Sequence, residues 1–207
     1  MVKHYISEQQ HAKVMYDCLN FVKGKGYILK GGTALMLFHN LGRFSEDLDF
    51  DVRSTRGITP ILRKYCELRG FTLAVKKDTA DRYRAHVHYA EGCYFKFEVS
   101  LATYDISKAQ NFNGILVYSV PYIADMKLET LKGRSKIRDI YDIMGIYYKY
   151  GLTQEQISDL INTITRLWGV DYVLHHLDFS SDEILPPESA KMLEQYVLKF
   201  LEEYHLI

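Results

Sequence analysis

The sequence lacks the features that mark secreted, membrane-spanning and disordered proteins. Its three cysteines, Cys18, Cys66 and Cys93, are widely spaced without a C-x-x-C pair, which favours reduced buried thiols over disulfides or a zinc site. The amino terminus has no apolar signal segment, and no run approaches the roughly eighteen apolar residues that a membrane helix needs. Internal repeats and low-complexity tracts are also missing. These absences predict a cytoplasmic protein with no membrane partner.

The chain also lacks an excess of charge. It has 26 basic and 26 acidic side chains and a pI near 7.1, so no global field would hold a polyanion. Contact with nucleic acid would depend on a local basic patch.

The chain has 207 residues, 47% of them hydrophobic. This is enough to bury a core as one domain or as an α/β domain with a helical appendage.

The segment from residue 28 to residue 52, ILKGGTALMLFHNLGRFSEDLDFDV, predicts strand, glycine turn, helix, polar loop and second strand. A glycine pair allows positive φ and close approach of a ligand, here at Gly31 and Gly32. The apolar run after Thr33 indicates a helix over residues 34–41. A helix that begins after such a turn presents free backbone N–H groups and a positive dipole end, which favours phosphate.

Acidic and apolar residues alternate in the second strand, so Asp47, Asp49 and Asp51 share one face at intervals of roughly 6.6 Å. Carboxylates at this spacing can hold two Mg²⁺ ions for phosphoryl transfer. A lone D-x-D fits a solvated edge strand equally well, and the upstream glycine pair shifts the balance toward the metal.

The segment GGTALMLFHNLGRFSEDLDF resembles the first motif of the polymerase-β-like nucleotidyltransferases, and its Arg-Phe-Ser form resembles the AbiEii/AbiGii-type toxins of abortive-infection and toxin–antitoxin systems. This resemblance implies an α/β (α+β) core with a mixed β-sheet flanked by helices. It also implies a third carboxylate on a strand beside the D-x-D strand. Glu98, in the alternating segment 93–100, lies where that acid is expected, although the usual residue is Asp. An ion pair between Glu98 and a basic neighbour on the next strand is the alternative.

The strand predicted before it, over residues 82–89, places Arg82, Arg84, His86 and His88 on one side. This side could be a basic wall beside a polyanion, but a polar outer face is favoured. A metal site at the two histidines is disfavoured, because no further His or Cys is near in sequence.

The segment KLETLKGRSKIRDIYDI resembles a second signature of the same family, a lysine followed by Arg-Asp-x-x-Asp. It corresponds here to Lys127, Arg138, Asp139 and Asp142. A cation at Lys127 or Arg138 could hold the β and γ phosphates of a nucleotide. From the residues alone, a surface ion pair at i and i+4 is the favoured interpretation of Arg138 and Asp142.

Residues 1–120 are predicted to form the nucleotidyltransferase core, and residues 121–207 a C-terminal helical bundle that closes the nucleotide cleft. Helix starts are predicted at Ser7, Pro121, Ser135, Thr153 and Pro186. A turn is predicted at residues 76–78.

Together these motifs predict a metal-dependent nucleotidyltransferase that transfers a nucleoside monophosphate from an NTP to an acceptor hydroxyl. Asp47, Asp49 and Glu98 would hold Mg²⁺, with Mn²⁺ as the other candidate, and Glu98 could also act as the base. The residues expected to bind the nucleotide beside that metal site are Gly31, Gly32, Thr33, Arg43, Ser45, Lys127, Arg138 and Asp142. The resemblance implies a toxin with tRNA as acceptor and a cognate antitoxin as partner. Two alternatives are nucleotidylation of a protein hydroxyl and a catalytically inactive nucleotide-binding module.

Overall fold

A mixed β-sheet organises the amino-terminal part of the chain. The computed structural model describes residues 7–41, 43–101, 103–134, 136–182 and 185–207. Within these residues the sheet has seven strands in the order β3-β4-β5-β2-β1-β7-β6. The strands are β1 (Ile28–Lys30), β2 (Leu48–Asp51), β3 (Thr72–Asp78), β4 (Arg82–Ala90), β5 (Cys93–Ser100), β6 (Ala109–Phe112) and β7 (Ile115–Tyr118). The β2–β5 and β1–β7 pairs are parallel and the others antiparallel, which confirms the predicted α/β fold with a mixed sheet.

Alternation along the strands divides the sheet into an apolar and a polar face. The inward side chains of β2 and β5 include Phe50 and Phe97, whose rings lie 4.8 Å apart, and Tyr27 packs edge-on against both. Helices α1 (Glu8–Val22) and α3 (Ile58–Arg69) contribute Met15 and Tyr65, both fully buried, to the core of this unit. The polar residues of the central strands therefore share the opposite face.

A short helix, α2 (Gly31–Phe38), follows β1 without a loop. It ends earlier than the sequence predicted, because His39 and Asn40 leave the helix, Asn40 with a φ of 48°. The predicted N-cap of α1 is confirmed, since the Ser7 hydroxyl accepts a hydrogen bond from the backbone of Gln10 at 3.1 Å.

The chain divides into two compact units, residues 1–40 with 44–119, and residues 41–43 with 120–207. The second unit contains α4 (Val120–Gly133), α5 (Ile137–Tyr150), α6 (Gln154–Asn162), a π-helical segment (Thr163–Trp168), α7 (Val170–His175) and α8 (Pro187–Glu203). The Thr153 capping box that opens α6 is present in both directions. No helix among the described residues combines the length and apolar character needed to cross a membrane.

One local prediction was wrong, one strand was not predicted, and one predicted cap is not tested. The predicted turn at residues 76–78 is part of β3, because that strand pairs with β4 as far as Asp78 through a bulge. Strand β6 and the 3₁₀ turn Ile106–Lys108 before it were not predicted. The predicted cap Ser135 lies outside the described residues, and Lys136 occupies the N-cap position of α5.

Candidate active site

The centre of the polar sheet face is a pair of carboxylates on neighbouring strands. In the parallel register of β2 and β5, Asp49 lies opposite Glu98. Strands paired in this way are about 4.8 Å apart, so the two side chains project from adjacent positions. The structure thus places Glu98 beside Asp49, at the position where the resemblance implies a third acid. Both side chains are partly exposed, which leaves them open to a ligand.

Two cations hold the acids on either side of Asp49. The Lys96 ammonium lies 2.9 Å from Asp47 Oδ2, and the Lys96 backbone N–H donates to Asp47 Oδ1 at 3.2 Å. Arg84, the cross-strand neighbour of Glu98, contacts its two carboxylate oxygens at 2.8 and 3.1 Å. The ion pair that was the alternative for Glu98 is therefore present.

Among the residues that the structure describes, no three acidic, histidine or cysteine side chains converge closely enough to hold a metal ion. Asp47, Asp49 and Glu98 nevertheless offer the carboxylate oxygens that Mg²⁺ prefers, on one face and in adjacent positions. The donor chemistry suits the ion, but Asp47 is paired with Lys96 and Glu98 with Arg84. Metal binding by all three acids would require both ion pairs to open.

The glycine turn approaches this site closely. Gly31 has a φ of 73°, and a Cβ built on it would lie 3.3 Å from Asp49 Oδ2. A side chain there would strain the backbone and crowd the carboxylate. Gly32 and Thr33 follow in the first turn of α2, whose free N–H groups point out of the helix start. The helix start at which the sequence analysis expects phosphate thus lies beside the Asp49 carboxylate.

The hydroxyl of Thr33 fixes the loop before β2. It donates to the backbone carbonyl of Asp47 at 2.5 Å and contacts the Ser45 hydroxyl at 2.8 Å. Thr33 is buried and Ser45 half-buried. Thr33 therefore ties the helix start to the strand that carries the acids, a connection that residue spacing alone does not reveal.

Asp51 has a different environment from the other two aspartates of β2. Its fully buried carboxylate accepts hydrogen bonds from Lys30 at 2.5 Å, Ser100 at 2.7 Å and Tyr118 at 3.1 Å, and one from Thr103. These partners tie β2 to β1, β5 and β7. Asp51 shares the predicted face with Asp49, but it is an internal structural carboxylate. Lys30, directly before the glycine turn and opposite Asp49 in the β1–β2 register, was missed by the sequence reasoning.

The residues of the second signature form a buried charged cluster in the helical unit. Asp142 accepts two bonds of 2.6 Å from Arg43 and lies 2.6 Å from Lys127 Nζ, which also lies 2.7 Å from Asp139. Burial alone would raise the pKa of Asp142, but the charges of Lys127 and Arg43 outweigh it and hold that pKa below its usual value. The Asp142 carboxylate is therefore ionised at neutral pH and is paired with two cations.

Arg138 does not form the surface pair with Asp142 that spacing suggested. Its guanidinium lies 3.0 Å from Asp182, while Asp142 is buried with Arg43 and Lys127. The surface pair that was the alternative for these residues is not formed, because Arg43, 99 residues away in sequence, binds the Asp142 carboxylate. Arg138 retains a one-third exposed side chain and is the more accessible cation of the signature.

Aromatic and basic side chains continue the polar sheet face beyond Glu98. His86 and Tyr94 stack with ring centroids 4.4 Å apart and an interplanar angle of 15°, and His88 lies 5.1 Å from Tyr94. Burial, followed by the nearby charge of Lys76, holds the pKa of His86 below its usual value. The ring is therefore neutral at pH 7.

Comparison with solved structures finds the same fold elsewhere. A proposed nucleotidyltransferase from Helicobacter pylori is 24% identical, with a TM-score of 0.74 and 97% of each chain covered. The H. pylori protein JHP933 is also 24% identical, with a TM-score of 0.68 over 96% of this chain and 94% of that one. MenT4, a nucleotidyltransferase toxin of Mycobacterium tuberculosis, is 20% identical, with a TM-score of 0.51 over 94% of this chain and 84% of its own. No curated protein matches the sequence.

The sequence pattern of one family spans nearly the whole chain. It matches residues 13–206 and is described as the nucleotidyl transferase AbiEii toxin of type IV toxin–antitoxin systems. The match includes the glycine turn, the acids of β2 and β5, and the buried cluster of the helical unit. The chain therefore belongs to the AbiEii family of nucleotidyltransferase toxins, enzymes that use an NTP and are paired with an antitoxin.

Proposed function

We propose that this enzyme transfers a nucleoside monophosphate from an NTP to a hydroxyl of tRNA, with Mg²⁺ or Mn²⁺ held by Asp47, Asp49 and Glu98. The observation that carries the proposal is the register pair Asp49–Glu98 beside the Gly31 turn. It puts oxygen donors for a divalent cation next to backbone donors for a phosphate. Those are the two recognition elements that an NTP–metal complex requires.

Each residue around the site has a defined task in this reaction. The backbone N–H groups at Gly31, Gly32 and Thr33 bind phosphate oxygens, and Ser45 borders the nucleotide. Glu98 accepts the proton of the acceptor hydroxyl, whose oxygen attacks the α-phosphorus in line while the bond to pyrophosphate breaks. Bound at the three acids, the metal would lower the pKa of that hydroxyl and neutralise charge on the leaving group.

The cations of the second signature would steady the triphosphate. Arg138 is accessible as the structure stands, whereas Lys127 would have to exchange Asp139 or Asp142 for a phosphate. Arg43, held by Asp142, would keep the residue 43–45 loop in place beside the nucleotide. That residues 121–207 close the nucleotide cleft stays a prediction.

The nature of the acceptor rests on the family and on local charge. The basic cluster around α4 and α5, with Lys132, Arg134, Lys136 and Arg138, suits an RNA backbone. Lys132 and Arg134 are exposed, although each has an acidic neighbour, Asp159 and Asp139 respectively. A protein hydroxyl is the alternative acceptor.

Calorimetric titration tests the site first. The four NTPs, each with Mg²⁺, are titrated into the wild type and into the Asp47→Ala, Asp49→Ala double variant. We expect one NTP to bind the wild type in a metal-dependent manner and the double variant to lose that binding. An absence of NTP binding to the wild type would instead support the inactive interaction module.

A labelling experiment then identifies the acceptor. Cell lysate is incubated with the enzyme and the NTP that binds, carrying an α-phosphate label. Label that ribonuclease removes would support tRNA or another RNA, and size separation distinguishes these. Label that only protease removes would refute the RNA acceptor and support nucleotidylation of a protein.

A further inference from the structure

The structure leaves a stretch of the polar sheet face without a role in NTP binding. It extends from Glu98 across β5 and β4, away from the Gly31 turn, and consists of Lys96, Tyr94, Arg84, His86 and His88. Strand alternation puts all five on the face that carries Asp49. We call this set the acceptor face.

The position of Glu98 indicates that the acceptor reaches the α-phosphorus across the acceptor face. Phosphate groups of the NTP belong at the Gly31 turn, on the β1 side of Asp49, whereas Glu98 lies on the β5 side. An in-line attack requires the acceptor hydroxyl to arrive on the side of the α-phosphorus opposite the leaving pyrophosphate. The acceptor therefore approaches over β5 and β4.

The basic residues of the face are engaged by the very acids that would bind metal. Lys96 holds Asp47 and Arg84 holds Glu98; the Lys96 side chain is 33% exposed and that of Arg84 50%. When a divalent cation takes the two carboxylates, these side chains lose their counterions and keep their charge. They then become donors for phosphate groups next to the reacting hydroxyl.

The aromatic residues of the face complete a nucleic-acid surface. Tyr94 lies four residues before Glu98 on β5, about 13 Å along the strand, with His86 and His88 beside it. Half-buried rings that flank freed cations match the base-stacking and backbone-binding elements of single-strand RNA sites. An RNA acceptor offers bases for these rings to stack on, which a protein acceptor does not.

We propose that Lys96 and Arg84 switch from the metal-binding carboxylates to the RNA backbone when metal binds, with the rings of Tyr94 and His86 stacking on the bases of the single-stranded acceptor end. This inference rests on the proposed function, because it takes Asp47 and Glu98 as metal ligands. It adds a coupling between the two binding events: metal binding releases Lys96 and Arg84 from the carboxylates, and the released side chains bind RNA.

The switch predicts opposite changes in two affinities for one substitution. Mn²⁺ binding is measured by electron paramagnetic resonance without nucleotide, and RNA binding by anisotropy of a short fluorescein-labelled oligoribonucleotide with Mg²⁺. Lys96→Met is expected to bind Mn²⁺ about two- to fivefold more tightly, the worth of a half-exposed ion pair, because the competing ammonium is gone. The same variant is expected to bind the oligoribonucleotide more weakly.

Tyr94→Leu separates stacking from charge. It is expected to leave Mn²⁺ affinity unchanged and to weaken RNA binding by about tenfold, as for loss of one stacked base. The matched controls are Lys108→Met, beside β6 at the other edge of the sheet, and Tyr16→Leu, on the exposed side of α1. Neither control should change either affinity.

The outcomes separate this inference from the proposed function. If the wild type binds no NTP with metal, the proposed function fails and the switch fails with it. If NTP binding is intact but Lys96→Met binds Mn²⁺ no more tightly, or if RNA binding is unchanged in both variants, the switch alone is refuted. Transfer of label to protein with unchanged RNA binding in both variants would also refute it.

Discussion

Two aspartates of β2, only two residues apart, illustrate how environment assigns different tasks to one side-chain type. Asp49 is partly exposed beside Glu98 and the Gly31 turn, whereas Asp51 is fully buried among Lys30, Ser100 and Tyr118. The alternation of the strand makes them equivalent in sequence. Their partners, which come from β1, β5 and β7, make them different.

Replacement of Asp51 by alanine is therefore expected to destabilise the fold. It would leave the Lys30 ammonium without its counterion and the hydroxyls of Ser100, Thr103 and Tyr118 without this acceptor, at a cost of about 3 kcal/mol in free energy of unfolding. Urea denaturation followed by far-UV circular dichroism measures this. A loss below about 1 kcal/mol would mean that the network contributes little to stability.

Asp49→Ala is the matched comparison on the same strand. It is expected to abolish nucleotidyl transfer while it changes the free energy of unfolding by less than about 1 kcal/mol, because this partly exposed carboxylate is proposed to serve the metal. Transfer of labelled nucleotide and the same denaturation measurement test both halves. A collapsed far-UV spectrum would show that Asp49 is structural.

For single residues, the sequence predicted the position on a strand better than it predicted the hydrogen-bond partners of the side chain. The neighbouring strand position of Glu98 was predicted through the family resemblance, and the structure has it opposite Asp49. The burial of Asp51 was not predicted, since Ser100 and Tyr118 are 49 and 67 residues away and become neighbours only in the folded sheet. The same holds for Arg43 with Asp142.

Among the elements, the β1–α2 turn most directly shapes the site. Gly31→Ala is expected to cost about 1 kcal/mol of stability for the positive φ and also to weaken Mn²⁺ binding, because the new methyl group would press on Asp49. Gly24→Ala is the control, since its φ of 74° is nearly the same as that of Gly31 and nothing lies within 4 Å of a Cβ there. Equal Mn²⁺ affinities in the two variants would contradict the proposed contact.

Helices α4 and α5 hold Lys127 between Asp139 and Asp142. Lys127→Ala is expected to weaken NTP binding far more than Mn²⁺ binding, because it removes a phosphate-seeking cation and leaves the acids of the sheet untouched. Lys132→Ala, at an exposed position of α4, is the control for a lost charge on the same helix. Calorimetry with metal alone and with NTP plus metal measures both; equal losses would contradict the assignment.

Element types were largely predictable, whereas element ends were not. The capping box at Thr153 and the N-cap at Ser7 are local hydrogen bonds, so the residues themselves encode them. The end of β3 depends on pairing with β4 across the hairpin, and residues 76–78, polar and turn-like in isolation, join the strand for that reason. Local sequence could not supply the partner.

At the scale of the whole molecule, acid should affect the helical unit through its buried carboxylates. The pKa of Asp142 lies below its unfolded value of 3.8, so its stabilising charge is fully present above about pH 4 and is lost as the pH falls below that value. Trp168, the sole tryptophan, lies in this unit and reports on it by fluorescence. We expect the urea midpoint of the unfolding transition reported by Trp168 to fall steeply below pH 4.

The Asp142→Asn variant tests the cause. It should be less stable than the wild type at pH 7, since Arg43 and Lys127 lose a charged partner, and should show a shallower decline below pH 4. A wild-type midpoint that stays constant between pH 7 and pH 3 would contradict the role of this carboxylate.

Residues 41–43 belong to the helical unit although they are translated early, and this affects how the chain folds during synthesis. Arg43 leaves the ribosome long before Asp142, its partner 99 residues later. The loop between α2 and β2 cannot reach its final arrangement until α5 has been translated and packed. A nascent or truncated toxin without α5 therefore lacks the contact that holds Arg43, close in sequence to Ser45. Formation of this loop thus depends on translation of the chain through Asp142.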